Sequence, residues 1–375
     1  MFEFLSLESE AFGLDISDSS LKIAKLKKKD KFLDLAAFGE SDIPEGIIKE
    51  GEIQNEAALV KIIKNTLSNL NGENLATNNI VTSLPEEKTF LEIIQMPKMT
   101  PEELKESIYL EAENHIPLSI EDVYLDFQVV TPLYNHLDHL DVLIVAVPKK
   151  TVDSYVSCFR KVPLQPKILE IESLSIARSL IKNISPYPLL LIDLGANKTS
   201  FIIFSGHSVK FTRSVTVSAK NITDDISKKL GVSFQEAESI KIKFGINQEY
   251  QLEAKKGVKM RAVSGRLLKI IDPLLSNLTS EIKKCIDYYQ EHFSHEHLPP
   301  DSSNKGISKV LLCGGGANLK GLPELLSLSL KIPVELGNPW VNILGSPLRK
   351  IPEISYEKSL TFTTVLGLAL RGVKK

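Results

Sequence analysis

The stretch Pro188-Leu-Leu-Leu-Ile-Asp-Leu-Gly-Ala-Asn-Lys-Thr-Ser-Phe-Ile-Ile-Phe204 joins an apolar run, a polar turn and an alternating apolar run. By period and residue type it predicts a strand, a tight turn and a second strand. In the turn, Gly195 allows a ligand to approach the backbone, and successive N–H groups can bind an anion. Asp193, where the first strand ends, can hold Mg²⁺ through water. The stretch predicts a phosphate site, although an ordinary β-hairpin has the same pattern.

A second copy of this design lies near the start of the chain, in Gly13-Leu-Asp-Ile-Ser-Asp-Ser-Ser-Leu-Lys22. It has an apolar residue, Asp15, another apolar residue, a small polar turn, and a strand in which Leu21 and Ile23 lie on one face. Two strand-Asp-turn-strand units about half a chain apart suggest duplicated lobes that face one nucleotide.

Three consecutive glycines follow a predicted buried strand at Lys309–Cys313. Gly314, Gly315 and Gly316 would allow a flat ring to pack directly on the backbone. The dinucleotide-binding pattern G-x-G-x-x-G is not met, because Leu319 occupies its last position. This segment is the third candidate nucleotide feature of the chain.

The composition is that of a soluble globular protein: 43% of the 375 residues are hydrophobic, 25% are charged, and the formal net charge is −2. This near-neutral net charge does not indicate a nucleic-acid-binding protein. Apolar runs such as Val142–Val147 are far shorter than the roughly 20 residues of a membrane-spanning helix. The acidic start of the chain lacks the basic region of a signal peptide. We therefore expect a cytoplasmic protein.

Neither the cysteines nor a group of histidines predicts a metal site. The three cysteines are isolated among apolar residues, which favours buried, reduced thiols; they are Cys158, Cys285 and Cys313. The histidines His292, His295 and His297 lie in a segment rich in proline and serine, which favours a solvated loop over a metal site.

The order of the predicted elements indicates four parts. One part is a compact inserted module of strands and two helices. Thr100, Pro101 and Glu103 form a capping box at the start of its first helix, and its last helix is predicted at Thr151–Phe159. Residues 168–181 are predicted as a helix that returns the chain to the boundary between the lobes. The expected boundaries are 11–78 with 168–186 and 351–375 for the core of lobe one, 79–167 for the module, 187–220 with 306–350 for the core of lobe two, and 221–305 for its second subdomain.

Three charged residues are candidates for the chemistry of a nucleotide site. Glu172 lies just before the second turn and can orient a water molecule, although an acid in the first turn of a helix also stabilises the helix dipole. Glu238 and Lys241 lie three apart on one face of a helix predicted at Ser233–Phe244. A surface salt bridge and contact with ribose and adenine are both open for this pair.

The succession of these features resembles the actin-like ATPase superfamily, which includes actin, the heat-shock chaperone ATPases and sugar kinases. The resemblance implies phosphate loops at 13–22 and 191–200, an adenosine loop at 310–318, and hinge helices at 168–178 and 360–372. Within this superfamily, the inserted module resembles that of the type IV pilus assembly PilM family, and the resemblance extends over nearly the whole chain. The motifs that carry it are Leu84-Pro-Glu-Glu, Met96-Pro-Lys-Met-Thr-Pro-Glu-Glu-Leu104, Glu111-Ala-Glu-Asn-His-Ile-Pro117, Asp126-Phe-Gln-Val-Val130 and Ala146-Val-Pro-Lys149.

The resemblance implies an α/β fold of two duplicated lobes around a nucleotide cleft, with a small α+β module, an SHS2 domain, inserted in lobe one. It implies ATP and Mg²⁺ as cofactors, with Asp15 and Asp193 acting on the metal and Glu172 as the candidate catalytic residue. The implied cofactor-binding residues are Ser17, Ser19, Ser20, Lys22, Gly195, Ala196, Asn197, Thr199, Glu238, Lys241, Gly314, Gly315, Gly316 and Asn318. Ser17 is an exception to the family pattern, which usually has glycine at this position. The Cβ of Ser17 can crowd the phosphate and weaken binding or hydrolysis.

The resemblance also implies a cytoplasmic protein that associates with the inner membrane through a partner. That partner would be a bitopic, PilN-like pilus protein whose N-terminal tail binds in a groove beside the module. Nucleotide would then bias how the lobes close and how tightly the tail is held. At most a slow ATPase is expected, no nucleic-acid partner is expected, and a homo-oligomer is left open.

Two alternative functions exist on the same fold. A polymerising, membrane-associated division protein similar to FtsA would carry an amphipathic anchor after the last core helix, whereas this chain ends at Lys375. We expect Gly367, Ala369 and Gly372 to serve close helix packing rather than membrane binding. A small-molecule kinase would need a base carboxylate beside a sugar pocket, and no such pairing is evident in residues 79–167.

Overall fold

The computed structural model describes residues 10–29, 32–131, 138–182, 184–246, 258–293, 306–345 and 352–373, with the backbone alone for 258–266. Lobe one begins with β1 (Phe12–Ile16), β2 (Ser20–Lys29), β3 (Phe32–Asp42), β4 (Ile48–Lys49), β5 (Glu52–Ile53), α1 (Glu56–Ser68), β6 (Asn71–Gly72) and β7 (Asn79–Leu84). β1, β2 and β3 form an antiparallel meander whose apolar residues, among them Leu14, Leu21 and Ile23, are buried. The side chain of Asn55 caps α1 by accepting from Ala58 N–H.

The inserted module consists of β8 (Phe90–Pro97), α2 (Pro101–Ala112), β9 (Val123–Val129) and β10 (His139–Pro148). Its antiparallel sheet has the order β8-β10-β9. The predicted capping box is present at the start of α2, where the side chains of Thr100 and Glu103 each accept from the other's backbone N–H. Ile94, Ile108 and Val142 lie in the core between α2 and the sheet. The module therefore has a small hydrophobic core of its own.

The chain returns to lobe one through α3 (Lys149–Arg160), β11 (Gln165–Ile171) and α4 (Glu172–Leu180). The sheet of lobe one has the order β11-β7-β1-β2-β3-β6. β7, which we placed in the module, thus lies between β1 and β11 and runs parallel to both. α3 packs Tyr155 and Phe159 into the same core as Phe12. The module therefore extends only from β8 to β10.

The prediction of one helix over residues 168–181 is wrong in its first turn. Ile168 to Ile171 end β11, and α4 begins at Glu172. Ile171 pairs with Leu84 of β7 in a parallel register. A short apolar run does not distinguish a buried strand from a helix by its period, and the pairing with β7 decides between them.

Lobe two repeats the strand connections of lobe one. It contains β12 (Ser185–Leu194), β13 (Thr199–Gly206), β14 (Ser208–Val215), α5 (Ala219–Leu230), α6 (Phe234–Phe244), α7 (Val258–Phe293), β15 (Lys309–Cys313), α8 (Leu322–Leu330) and β16 (Val334–Leu336). Its sheet order is β14-β13-β12-β15-β16, with an antiparallel meander followed by two parallel strands. β1 to β3 with β7 and β11 have the same arrangement. The predicted duplication is therefore present in the topology.

The C-terminal segment forms α9 (Tyr356–Thr361) and α10 (Thr363–Gly372), with a break at Phe362 rather than one continuous helix. α10 packs closely on lobe one: a Cβ added to Gly367 would lie 2.0 Å from Ser175 O, and one added to Gly13 would lie 2.5 Å from Val365 O. Small residues here serve helix packing, as predicted. None of the helices among the described residues is long and apolar enough to cross a bilayer.

Candidate functional site

A cleft of about 930 Å³ lies between the two lobes. Its walls are the two Asp-containing turns, the glycine triplet after β15, and the starts of α4, α5 and α6. The predicted residues that line it are Asp15, Ser17, Ser19, Ser20, Lys22, Glu172, Asp193, Gly195, Ala196, Asn197, Glu238, Lys241, Gly314, Gly315 and Gly316. The fold thus brings together residues that lie about 300 positions apart in the sequence.

The first turn is held by its own side chains. Ser17 Oγ accepts from Ser20 N–H at 3.2 Å and lies 3.1 Å from Ser20 Oγ. Lys22 Nζ donates to Ser20 Oγ at 2.6 Å. The carboxylate of Asp18 accepts from the N–H groups of Glu50 and Gly51 at 2.8 and 2.9 Å. The hydroxyl of Ser17 is therefore directed into its own turn, and Asp18, which is not among the predicted site residues, fixes this turn to the turn between β4 and β5.

The two aspartates that end the central strands lie near each other. Asp15 is buried, and its Oδ1 accepts from the hydroxyl of Ser83 at 2.7 Å. Burial raises the pKa of Asp193, and the nearby carboxylate of Asp15 raises it further. Lys198 and Lys22 act in the opposite direction. This pair of carboxylates is favourably placed for a cation.

The second turn is closed by the N–H of Gly195, which donates to Lys198 O at 3.0 Å. The start of α5 supports it, because the N–H groups of Ala219 and Lys220 donate to Gly195 O and Ala196 O at 3.1 and 3.0 Å. A Cβ on Gly195 would lie 2.9 Å from Lys198 O. The tight closure of the turn is therefore itself a reason for glycine at this position.

Lys198 lines the cleft but is not among the predicted site residues. Its Nζ lies 2.7 Å from Glu87 Oε2 and 2.8 Å from Glu172 Oε2, and all three side chains line the cleft. Burial lowers the pKa of Lys198, but the two carboxylates outweigh burial and raise it above its usual value. Burial raises the pKa of Glu172 to about 8, against the attraction of Lys198. The one signal in the sequence for a role of Lys198 in the site was its position next to Asn197, in the turn predicted to bind phosphate.

The glycine triplet is explained mainly by the neighbouring turn. Gly314 has φ +80°, and a Cβ there would lie 2.3 Å from Asp193 Oδ1. A Cβ on Gly316 would lie 2.2 Å from Leu194 Cδ2. At Gly315 the nearest atom to an added Cβ is Thr361 Cγ2, at 3.6 Å. The first and third glycines therefore allow the second turn to pack on β15, whereas a Cβ at Gly315 would make only an ordinary van der Waals contact.

The predicted ion pair of α6 is present at the edge of the cleft. Lys241 Nζ lies 2.7 Å from Glu238 Oε2 and donates to Thr223 Oγ1 at 2.8 Å. Lys241 is buried, and Glu238 also accepts from the hydroxyl of Thr223. The pair joins α5 to α6 and presents polar groups to the cleft.

Two predicted cofactor-binding residues do not line the cleft. Thr199 is buried in β13, and its hydroxyl donates to Val217 O at 2.6 Å. Asn318 Nδ2 donates to Glu357 O at 2.9 Å. Both side chains are therefore used to hold backbone segments beside the cleft.

The residues of the cleft fit a magnesium nucleotide. The described part of the chain has no group of three or more Asp, Glu, His or Cys side chains that could hold a metal ion by themselves. Mg²⁺ is commonly held by one or two carboxylates together with phosphate oxygens and water, and Asp15 and Asp193 can supply that share. His295 and His297 lie outside the described residues. Cys158, Cys285 and Cys313 are buried free thiols, as predicted.

A groove of about 1040 Å³ lies between the inserted module, lobe one and lobe two. Its apolar lining includes Leu84, Val145, Val147, Ile171 and Leu174. Its polar lining includes Asp126, Glu170, Arg178 and Arg371. Arg178 donates to Glu170 Oε2 at 2.8 Å through Nη2 and to Gly367 O at 3.0 Å through Nη1. The groove thus combines an apolar surface with a fixed, nearly buried ion pair.

A family model described as type IV pilus assembly protein PilM matches residues 13–373. A solved structure, the PilM-PilN type IV pilus biogenesis complex, is similar over 98% of this chain and 100% of that chain, with a TM-score of 0.78 and 28% identity. The ethanolamine utilization protein EutJ from Carboxydothermus hydrogenoformans has a TM-score of 0.54 at 14% identity, over 96% of this chain and 89% of its own. MreB 5 of Spiroplasma citri, bound to AMPPNP, has a TM-score of 0.51 at 13% identity, over 96% and 94%.

Among curated proteins, the chain is similar to cell division protein FtsA. The FtsA of Buchnera aphidicola subsp. Acyrthosiphon pisum is 26% identical over 185 residues, which is 48% of this chain and 42% of that protein. The FtsA of Pseudomonas aeruginosa is 22% identical over 233 residues, 58% of this chain and 50% of that protein. The chain spans about half the length of these relatives. Since the family model covers nearly the whole chain, the protein has the actin-like ATPase fold and belongs to the type IV pilus assembly protein PilM family.

Proposed function

We propose that this protein is an adaptor of type IV pilus assembly that binds ATP with Mg²⁺ in the cleft and a protein tail in the groove. The observation that carries the proposal is that α4 lines both: Glu172 faces the cleft, whereas Leu174, Ala177 and Arg178 face the groove. Two sites that share one short helix are suited to an adaptor in which nucleotide modulates docking.

In the cleft, Asp15 and Asp193 would hold Mg²⁺, and the two turns would surround the phosphates. The N–H groups of Ala196 and Asn197 are part of a tight turn that can bind an anion. Gly315 would lie against the base, and Glu238 with Lys241 would contact the ribose and adenine. Glu172 would orient water, and we expect the protein to be at most a slow ATPase.

In the groove, the partner would be the N-terminal tail of a bitopic, PilN-like protein of the inner membrane. β9 lies at the end of the sheet order β8-β10-β9 in the described part of the module, and its residues Tyr124 to Gln128 line the groove. An extended segment can add main-chain hydrogen bonds at such an edge while its alternate side chains enter an apolar surface. The similarity to a PilM-PilN complex supports this partner. Association with the inner membrane would then occur through the partner.

The test is calorimetry with a synthetic peptide of that tail and with Mg·ATP, on the full chain. Asp193→Ala should lose nucleotide binding and retain the peptide. Val145→Glu places a charge on the apolar surface of the groove and should reduce peptide affinity at least tenfold with nucleotide binding unchanged. The matched control is Tyr109→Glu, because Tyr109 is exposed on α2 and does not line the groove. Peptide binding that Val145→Glu leaves unchanged would contradict the proposal.

A further inference from the structure

The cleft and the groove are separated by a wall only one residue deep. β7 and β11 end side by side, with Ile171 opposite Leu84. Both of these side chains line the groove, whereas the next residues, Glu172 and Pro85, line the cleft. We call these two strand ends, Leu84-Pro85 and Ile171-Glu172, the shared wall. Any displacement of the shared wall changes both sites.

Lys198 fastens the shared wall to lobe two. Its two carboxylate partners are Glu87, in the 3₁₀ turn Glu86–Lys88 that follows β7, and Glu172, at the start of α4. Lys198 itself closes the turn between β12 and β13. One ammonium group therefore joins both strand ends of lobe one to the candidate phosphate turn of lobe two.

The two strand ends are also joined to each other. Glu86 Oε2 accepts from Ser173 N–H at 3.2 Å and so caps the first turn of α4. From Glu172 to Arg178, less than two turns of α4 lead from the cleft to the groove. A change at Lys198 therefore reaches the groove through a short, packed path.

Lys198 lies where a phosphate would arrive. It is in the same turn as Gly195, lines the cleft, and keeps 21% of its side chain exposed. A terminal phosphate presents several acceptor oxygens and more than one negative charge, so it can take the place of both acid side chains as the partner of one ammonium group. A Mg²⁺ ion that enters with the nucleotide would offset the charge of the carboxylates that Lys198 leaves.

We infer that Lys198 is a positioning residue that senses the terminal phosphate of a nucleoside triphosphate. It leaves Glu87 and Glu172 for that phosphate and thereby releases the shared wall, which changes the affinity of the groove for its tail. This inference rests on the proposed function and names the residue that couples its two sites.

The experiment measures the affinity of a fluorescent tail peptide for the full chain by anisotropy, with Mg·ADP or with magnesium and a non-hydrolysable ATP analogue. For the wild type, the peptide Kd should differ about fivefold or more between the two nucleotide states. For Lys198→Met the two values should agree within twofold, with peptide still bound. Lys198→Arg keeps the charge and should retain part of the difference.

Two further variants make the result specific. Lys198→Met leaves Glu87 and Glu172 without their shared cation, so the triple variant K198M/E87Q/E172Q also removes both acids and should likewise show no difference between nucleotide states. Lys309→Met is the matched control, because it removes an ion pair with Glu335 that lines neither the cleft nor the groove. It should keep the wild-type ratio.

The outcomes separate this inference from the proposed function. If Lys198→Met or the triple variant keeps the wild-type ratio, the inference is overturned and the proposed function stands. If the wild type binds nucleotide and peptide but shows one peptide Kd in both states, the inference is overturned together with nucleotide control of docking. If the wild type binds neither ligand, the proposed function itself fails.

Discussion

The backbone of Gly314 packs so closely on Asp193 that a Cβ at position 314 would lie 2.3 Å from Oδ1 of the aspartate. Gly314 also has a positive φ of 80°, which an L side chain adopts only with strain. We expect Gly314→Ala to lower the free energy of unfolding by about 2 kcal/mol or more and to displace the second turn. Urea denaturation, with nucleotide titration of the folded variant, measures both effects.

Gly315→Ala is the control for this prediction. Its added Cβ would meet only Thr361 Cγ2 at 3.6 Å, an ordinary van der Waals distance, and Gly315 does not have a positive φ. The stability of Gly315→Ala should therefore lie close to that of the wild type. Equal losses in the two variants would show that the contact with Asp193 is not what requires glycine at 314.

Glu172 gives the stability a predicted dependence on pH. Burial raises its pKa from the usual 4.5 to about 8, while Lys198 lowers it and Glu87 and Asp15 raise it. Because the folded chain then binds more protons than the unfolded chain between about pH 5 and pH 8, the contribution of Glu172 is present below this range. It is lost as the pH rises through it. Denaturation curves of the chain without nucleotide should show this decline.

Glu172→Gln removes that titrating group. Between pH 5 and pH 8 the free energy of unfolding of the variant should fall less than that of the wild type, by on the order of 3 kcal/mol. Glu281→Gln is the control, since the pKa of Glu281 is lowered by its hydrogen bond with Lys284 and by Arg213. The contribution of Glu281 to the pH dependence of stability therefore lies below pH 5. Parallel curves for wild type and Glu172→Gln would mean that Glu172 is ionised throughout the range.

The site features that could be predicted from the sequence are those whose residues lie close together along the chain. Asp193 and Gly195 lie in one turn, and Asp15 and Ser17 lie in another, so their residue types and spacing identified both. The ion pairs of Lys198 could not be predicted, because its partners come from distant segments that only the sheet of lobe one brings together. The reason for glycine at 314 was likewise hidden, since it depends on the packing of a separate turn.

Thr199 should be a structural residue rather than a phosphate ligand. Its hydroxyl donates to Val217 O at 2.6 Å inside the protein, and the side chain does not line the cleft. We expect Thr199→Val to lower the free energy of unfolding by about 1 to 3 kcal/mol, because it leaves a buried carbonyl without this donor. Nucleotide affinity, measured by calorimetry, should stay within twofold of the wild type.

Asn197→Ala is the natural comparison for Thr199→Val. Asn197 is exposed in the second turn and lines the cleft. Its replacement should weaken nucleotide binding while the stability stays within about 0.5 kcal/mol of the wild type. A tenfold loss of nucleotide affinity in Thr199→Val, with its fold intact, would return Thr199 to the phosphate site.

The resemblance to the actin-like ATPases implies glycine at position 17, and the contacts of Ser17 point to its hydroxyl rather than its Cβ as the group that matters. Ser17 Oγ accepts from Ser20 N–H at 3.2 Å, so this donor is occupied within the turn. Ser17→Gly removes the competing acceptor and leaves the N–H free for a phosphate oxygen. We expect nucleotide affinity to rise about threefold to tenfold, with a loss of stability of about 0.5 to 1 kcal/mol from the added backbone freedom.

Ser17→Ala separates the two explanations, because it removes the hydroxyl and keeps the Cβ. If the hydroxyl is what limits binding, Ser17→Ala should gain most of the affinity that Ser17→Gly gains. If crowding by the Cβ is what limits binding, only the glycine variant should gain affinity. Should neither variant bind nucleotide more tightly, the first turn does not limit binding.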